Sequence, residues 1–256
     1  MKTLFLAWQH TRPNPGQRPV TRAWYPIGQL EAEPDKSFYR FNYTEGARRA
    51  ASEAGFAPLE AFPELGRTYE SADLFPVFRN RLIQPGRDDY REYVERLGLA
   101  SDETDPMEIL AVSGGTRQTD NLEVFPKIRQ HRDGSFSCRF FLHGWRHVST
   151  AAQTRLESLK AGDPLRVCLE LNNPATGAAI QLQTADDYHM LGWAPRYLLG
   201  DMLATLAHAP HDLEASVVRL NPPPAPGNQR VLVELGGRFD EGFQPMTGGD
   251  FRPLKD

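Results

Sequence analysis

The second half of this chain is cut at short intervals by turn chemistry. Asp133-Gly134, Gly162-Asp163-Pro164, Asn172-Asn173-Pro174, Asp186-Asp187 and Asn221-Pro222-Pro223-Pro224 follow one another. Between them lie short runs rich in β-branched and aromatic residues, which favour strands. Such punctuation admits short strands joined by tight turns and few long helices. The 21 glycines and 21 prolines of the whole chain say the same. Before about residue 125 the pattern differs, with several helical spacings among the strands.

Residues 2–8 read as a strand. The segment QHTRPNPGQRPVTR follows, with Arg12, Arg18 and Arg22 and no acid. It reads as a solvated loop, with contact to a phosphate as the alternative. AWYPIGQL and SFYRFNY read as two strands about a Pro-Asp reversal. Thr44 is placed to cap a helix over 45–54, which Gly55 ends. Residues 71–83 carry Leu74, Phe75, Phe78 and Leu82 at helical spacing. Residues 87–98 put Tyr90, Tyr93, Val94 and Leu97 on one helical face. Asp105, Pro106 and Glu108 make a strong helix start. LEVFPKIRQ and FSCRFFLHGW flank Asp133-Gly134 as a hairpin. A short helix over 154–160 is followed by strands at 165–171, 179–183 and 189–192. An amphipathic helix over 197–207 comes next, then the strand EASVVRL, the stiff spacer NPPPAPGN and a last strand RVLVELGG. Residues after Gly237 read as loose.

A length of 256 residues suits one large domain or two small ones. The net charge of −4 and pI near 6.0 make no global case for nucleic acid, so any such site is a local patch. Cys138 and Cys168 lie in strand-like runs and read as reduced packing residues. No apolar run approaches a membrane span and the start is not a signal peptide, so a cytoplasmic protein is expected. Enzyme motifs are missing. SGGT at 113–116 is followed by no Lys-Ser or Lys-Thr and reads as a turn. His208 and His211 are separated by a proline and lack a third ligand, so no metal is expected. No nucleophile elbow exists. Asp186-Asp187 falls in a turn and reads as solvated rather than as an acid–base pair. The chain is expected to have no catalytic residues and no cofactor.

What remains is a polar and aromatic set: Trp145, Arg146 and His147 after one strand, Asn172 and Asn173 between two others, then His189, Trp193 and Arg196. Rings stack on bases, arginine pairs with phosphate, and amides read base edges or sugars. The plain alternative is that both tryptophans are core and the asparagines shape a turn.

Two families share the order of these motifs. HGWRHV, LNNPATGAAIQL and LGWAPRYLLGDML, within 136–220, resemble the HIRAN domain. That resemblance implies a small β-barrel-like module that binds single-stranded DNA at a free 3′ end. It would use Arg146, His147, Asn172 and Asn173, with Arg196 as a phosphate ligand. Where that family has Tyr-Asp after the loop proline, this chain has Ala175-Thr176. That change removes a stacking ring and an acceptor for a terminal hydroxyl. In the first half, PIGQLEAEPDKSFYRFNY, PELGRTYESADLFPVFRNRLIQP and DPMEILAVSGG resemble the N-terminal subdomain of HipA-type kinases, which also occurs as a separate small protein. No kinase core is among these residues, so the resemblance implies protein contact and no kinase activity. The expected fold class is α+β. Residues 1–132 would form a domain of short helices on a small antiparallel sheet. Residues 133–220 would form the HIRAN-like barrel, and 221–256 the Pro-rich spacer, final strand and tail. The expected function is non-enzymatic binding of single-stranded DNA or DNA ends. The alternative is an antitoxin-like partner of a HipA-type kinase core, with no DNA binding of its own and no membrane association.

Overall fold

The computed structural model describes residues 1–10, 23–117, 119–174 and 176–254. The basic loop with Arg12, Arg18 and Arg22 lies outside the described residues, as does Ala175. The strands are β1 (Lys2–Gln9), β2 (Trp24–Glu33), β3 (Phe38–Tyr43), β4 (Tyr69–Ser71), β5 (Leu122–Pro126), β6 (Arg129–Gln130), β7 (Ser135–Phe141), β8 (Pro164–Asn173), β9 (Gly177–Thr184), β10 (Met190–Trp193), β11 (Glu214–Leu220) and β12 (Val231–Arg238). The α-helices are α1 (Glu45–Ala54), α2 (Pro76–Arg79), α3 (Tyr90–Arg96), α4 (Pro106–Ser113), α5 (Thr150–Glu157) and α6 (Leu199–His208). The class is α+β, with two antiparallel sheets. The chain forms two compact units. The first is Met1–Arg91, Asp102–Lys127 and Met246–Asp256; the second is Glu92–Ser101 and Ile128–Pro245.

The first unit holds the five-stranded sheet β4-β3-β2-β1-β5. Its core is aromatic: Phe41 and Phe62 stack with centroids 4.0 Å apart, and Phe78 packs at their side. The Tyr43 hydroxyl donates to Phe62 O at 2.8 Å and accepts from Leu59 N–H at 2.7 Å, so a buried polar tip is satisfied. Burial pushes that phenol up to about 12. Local rules hold at α4, where Asp105 accepts from Met107 N–H at 2.8 Å and Gly114 ends the helix at φ 71°. The SGGT stretch is a turn, held by Arg81, which donates to Gly115 O and pairs with Asp120.

Three expectations are corrected in this unit. Thr44 stands at the N-cap position of α1, but its side chain makes no capping bond; it is fully buried and its hydroxyl donates to Pro26 O. The helix expected over 71–83 shrinks to α2, because Ser71 is taken by strand pairing with Tyr39 and Pro76 fixes the helix start. Residues after Gly237 are not loose throughout. Thr44 pairs with Pro253, Arg49 grips Asp250, Phe251 packs edge-on to Phe5, and Leu254 is buried.

The second unit holds the seven-stranded sheet β10-β9-β8-β11-β12-β7-β6. Val231, Leu232, Val233 and Leu235 of β12 are fully buried, so the strand read as terminal is an inner one. Phe239, just beyond it, stacks on Phe136. The nine-residue strand LEVFPKIRQ is in fact two. β5 pairs with β1 in the first sheet, and only β6 forms the Asp133-Gly134 hairpin with β7. Pro126 can donate no ladder hydrogen bond at the break. The helix expected over 154–160 lies earlier, as α5, because Ser149 accepts from Ala152 N–H and caps it. One isolated bridge, His143 to Trp193, joins the chain just past β7 to β10. Among the described residues β10, one end of the sheet, meets the extension of β7 at that pair and not along a continuous ladder.

A candidate strand-end site on the second unit

The sequence stretches around 145 and 193 meet in space. His143 and Trp193 exchange both backbone hydrogen bonds, each 2.9 Å. Gly144 follows in the left-handed region, φ 70°. A Cβ there would lie 2.4 Å from Cε3 of Trp193, so the backbone rests directly on the indole face. Trp145, Arg146 and His147 then form a single 3-10 turn. The Trp145 indole is half-buried and donates to Gly227 O at 2.6 Å. Arg146 and His147 are exposed. Gln153 secures the turn from beneath by donating to the carbonyls of Arg146 and Val148.

Across the sheet, Glu170 organises the other wall. Its Oε2 accepts from the Trp193 indole N–H, and from Asn173 Nδ2 at 3.1 Å. The pairing register explains this reach. Trp193 faces Gln181, and Glu170 faces Ala179 on the neighbouring strand. The methyl of Ala179 leaves the diagonal open to the long indole. Asn173 uses its Oδ1 to accept from Thr176 N–H at 3.1 Å and from the Thr176 hydroxyl at 3.0 Å. It therefore builds the β8–β9 turn. Asn172 beside it is exposed, with φ 62°, a conformation asparagine tolerates better than most residues.

Trp145, Arg146, His147 and Trp193 thus form one cluster, with Asn173 linked through Glu170 and Asn172 at the adjoining hairpin tip. Arg196 is half-buried on the 3-10 turn that follows β10. His189 is not in this cluster. It sits at the far end of β10, its backbone N–H bonded to the Thr184 hydroxyl and its Nε2 3.9 Å from Asp187. There Arg155 donates to both Asp186 and Asp187. The two carboxylates share that cation and are not merely solvated. The Thr184 hydroxyl and Arg155 together hold the Asp187 carboxyl down at about 2.

Glu170 was missed as a site residue. Nothing in its local sequence marks it, since its role comes from the β8–β9–β10 register. Arg166 on β8 was likewise passed over; its guanidinium lies 4.9 Å from the centroid of the exposed Tyr188 ring in the β9–β10 connection. No group of three or more His, Cys, Asp or Glu among the described residues can hold a metal ion. Desolvation drives the half-buried Cys138 thiol up to about 12, which keeps it protonated at neutral pH. No helix among the described residues is long and apolar enough to cross a membrane. The arrangement offers two indoles, two exposed basic side chains and one open amide on a preset frame. Those groups can stack on, pair with and orient a polar planar ligand. No family model, curated protein or solved structure matches the chain.

Proposed function

We propose that the second unit binds the end of a single DNA strand, and that the first unit is a protein-contact module. The observation that supports this most is the packing of Gly144 on Trp193, which joins the HGWRHV and LGWAPR stretches into one place. A terminal base would stack beside Trp145 and Trp193, with Arg146, and Arg196 behind it, taking the adjoining phosphates. Asn172 supplies the open amide. Glu170 supplies an acceptor near Asn173, a place where the HIRAN-like pattern otherwise loses one at Thr176. In this reading the bridge between His143 and Trp193 is the closing point of a small half-open barrel of the HIRAN kind, and the site lies at that closure. The protein acts by binding and carries no chemistry of its own.

The test is a fluorescence titration with short single-stranded DNA, its 3′ end free or blocked, at two salt concentrations. End-dependent binding is expected, and the double variant Arg146→Ala, Asn172→Ala should weaken it about tenfold or more with little change in melting temperature. Unchanged affinity in the double variant would sink the pocket assignment. Binding indifferent to the end but steep in salt would reduce the site to a basic patch.

A second reading has its own support. Leu169 and Leu171 of β8 are 42% and 68% exposed, an apolar pair on an outer hairpin. That surface suits a protein partner, such as a HipA-like kinase core, with DNA binding lost. Repeated pull-downs without such a partner would count against it.

A further inference from the structure

The β11–β12 connection gathers positive charge around one neutral residue. Asn221 is 2% exposed. Its Nδ2 donates to Arg96 O at 3.0 Å and to Gln229 O at 2.7 Å. Its Oδ1 accepts from Arg219 Nε at 3.0 Å, and its backbone carbonyl accepts from Arg230 Nη1 at 2.6 Å. Two guanidinium groups therefore converge on a single asparagine, one on its side-chain amide and one on its backbone carbonyl, with the backbone carbonyl of a third arginine accepting from the same side chain. The register agrees: Asn221 N–H bonds Arg230 O, and Arg219 pairs with Leu232. Arg219, Asn221 and Arg230 thus share one face of the ladder.

The charge there is poorly matched. Arg230 is only 8% exposed. Its nearest carboxylate is Glu157 at 3.7 Å, too far for a hydrogen bond and itself largely in solvent. Among the described residues no carboxylate lies within 4.0 Å of Arg96 or Arg219 in an ion pair. The Nε atoms of Arg230 and of Arg96 are both buried and bonded to no described atom. Burying a guanidinium without a counter-anion is costly, and leaving a buried donor unbonded adds to the cost. Each planar fork has edges to offer an oxyanion.

We propose that Arg219 and Arg230, converging at Asn221, form a binding site for a phosphoryl group. A phosphate is favoured over a carboxylate because two converging guanidinium groups, one of them buried, with one distant acid call for an anion with more than two acceptor oxygens. The same connection carries Gly227, whose carbonyl holds the Trp145 indole, and Arg146 reaches to 3.8 Å from where a Gly227 Cβ would stand. The phosphoryl group has two sources, a free phosphate or a phosphate of a bound strand. The site does not depend on the DNA reading.

The experiment is calorimetric titration with inorganic phosphate and, separately, with a six-nucleotide thymidine oligomer. It uses the full chain and the variants Arg219→Gln, Arg230→Lys and Arg132→Gln. Arg132 is exposed on the β6–β7 turn and serves as the control. Phosphate should bind the unaltered protein and raise its melting temperature. Arg219→Gln and Arg230→Lys should each weaken phosphate binding about tenfold, and the control should not. Should Arg230→Lys fail to fold, the exposed Arg219→Gln decides alone. A parallel loss for the oligomer in Arg219→Gln assigns the site to strand phosphate. Loss for phosphate alone assigns it to free phosphate, whether or not the oligomer binds. No phosphate binding to the unaltered protein, or equal binding in Arg219→Gln, overturns the proposal.

Discussion

Gly144 shows how much rests on single residues here. Its φ of 70° and its 2.4 Å approach to the Trp193 ring leave no room for a side chain. Gly144→Ala should cost at least about 1–2 kcal/mol from backbone strain alone. It should also displace the indole, seen as a lower melting temperature and a shifted tryptophan emission. A second residue-scale effect is electrostatic. The Asp187 carboxyl is held at about 2, below the roughly 3.9 of an unfolded chain. Its contribution to stability is present above about pH 4 and is lost as pH falls through about 2. Asp187→Asn should therefore flatten the acid limb of a melting-temperature profile between those values and leave its shape near pH 7 alone. Residues whose role is local were readable from sequence: Asp105 as a cap, Gly55 and Gly114 as stops. Glu170 was not, because a strand residue becomes a site residue only when its cross-strand neighbours are known. The same register that hid Glu170 shows Asn173 spent on its own turn and Asn172 left open.

Among elements, what was legible followed from short-range physics. α1, α3 and α4 are announced by spacing, caps and glycine stops, and the turns at 114–115 and 133–134 by their glycines. The failures share a cause. LEVFPKIRQ alternates like one strand, yet its two halves serve different sheets, since alternation reports a buried face and not a partner. Residues 71–83 have helical spacing, yet Ser71 gains more from pairing with Tyr39. β8 has a consequence of its own. Among the described residues it pairs with β11 only at Pro164 and Leu165, so from Arg166 to Asn173 one edge has no neighbouring strand. Leu169 and Leu171 lie along that edge, a combination that favours association. Leu171→Lys should reduce concentration-dependent light scattering while changing stability by less than about 0.5 kcal/mol.

For the molecule as a whole, the route of the chain matters more than the count of its elements. The first unit takes its last piece from Met246–Asp256, and the second takes Glu92–Ser101 from between two segments of the first. Deleting 246–256 removes the buried Leu254, the Phe251 ring against Phe5 and the Asp250–Arg49 pair. It should destabilise the first unit by about 2–5 kcal/mol, judged from the loss of one buried leucine, and leave DNA or phosphate titrations of the second unit unchanged. Differential scanning calorimetry of the truncated chain checks this. The same route sets an order of events on the ribosome. Strand β1 precedes the whole second unit, but the unit it belongs to waits for residues 246–254, while the seven-stranded sheet already has all its strands before them. On the nascent chain the first unit thus stays incomplete until after the strands of the second have been made.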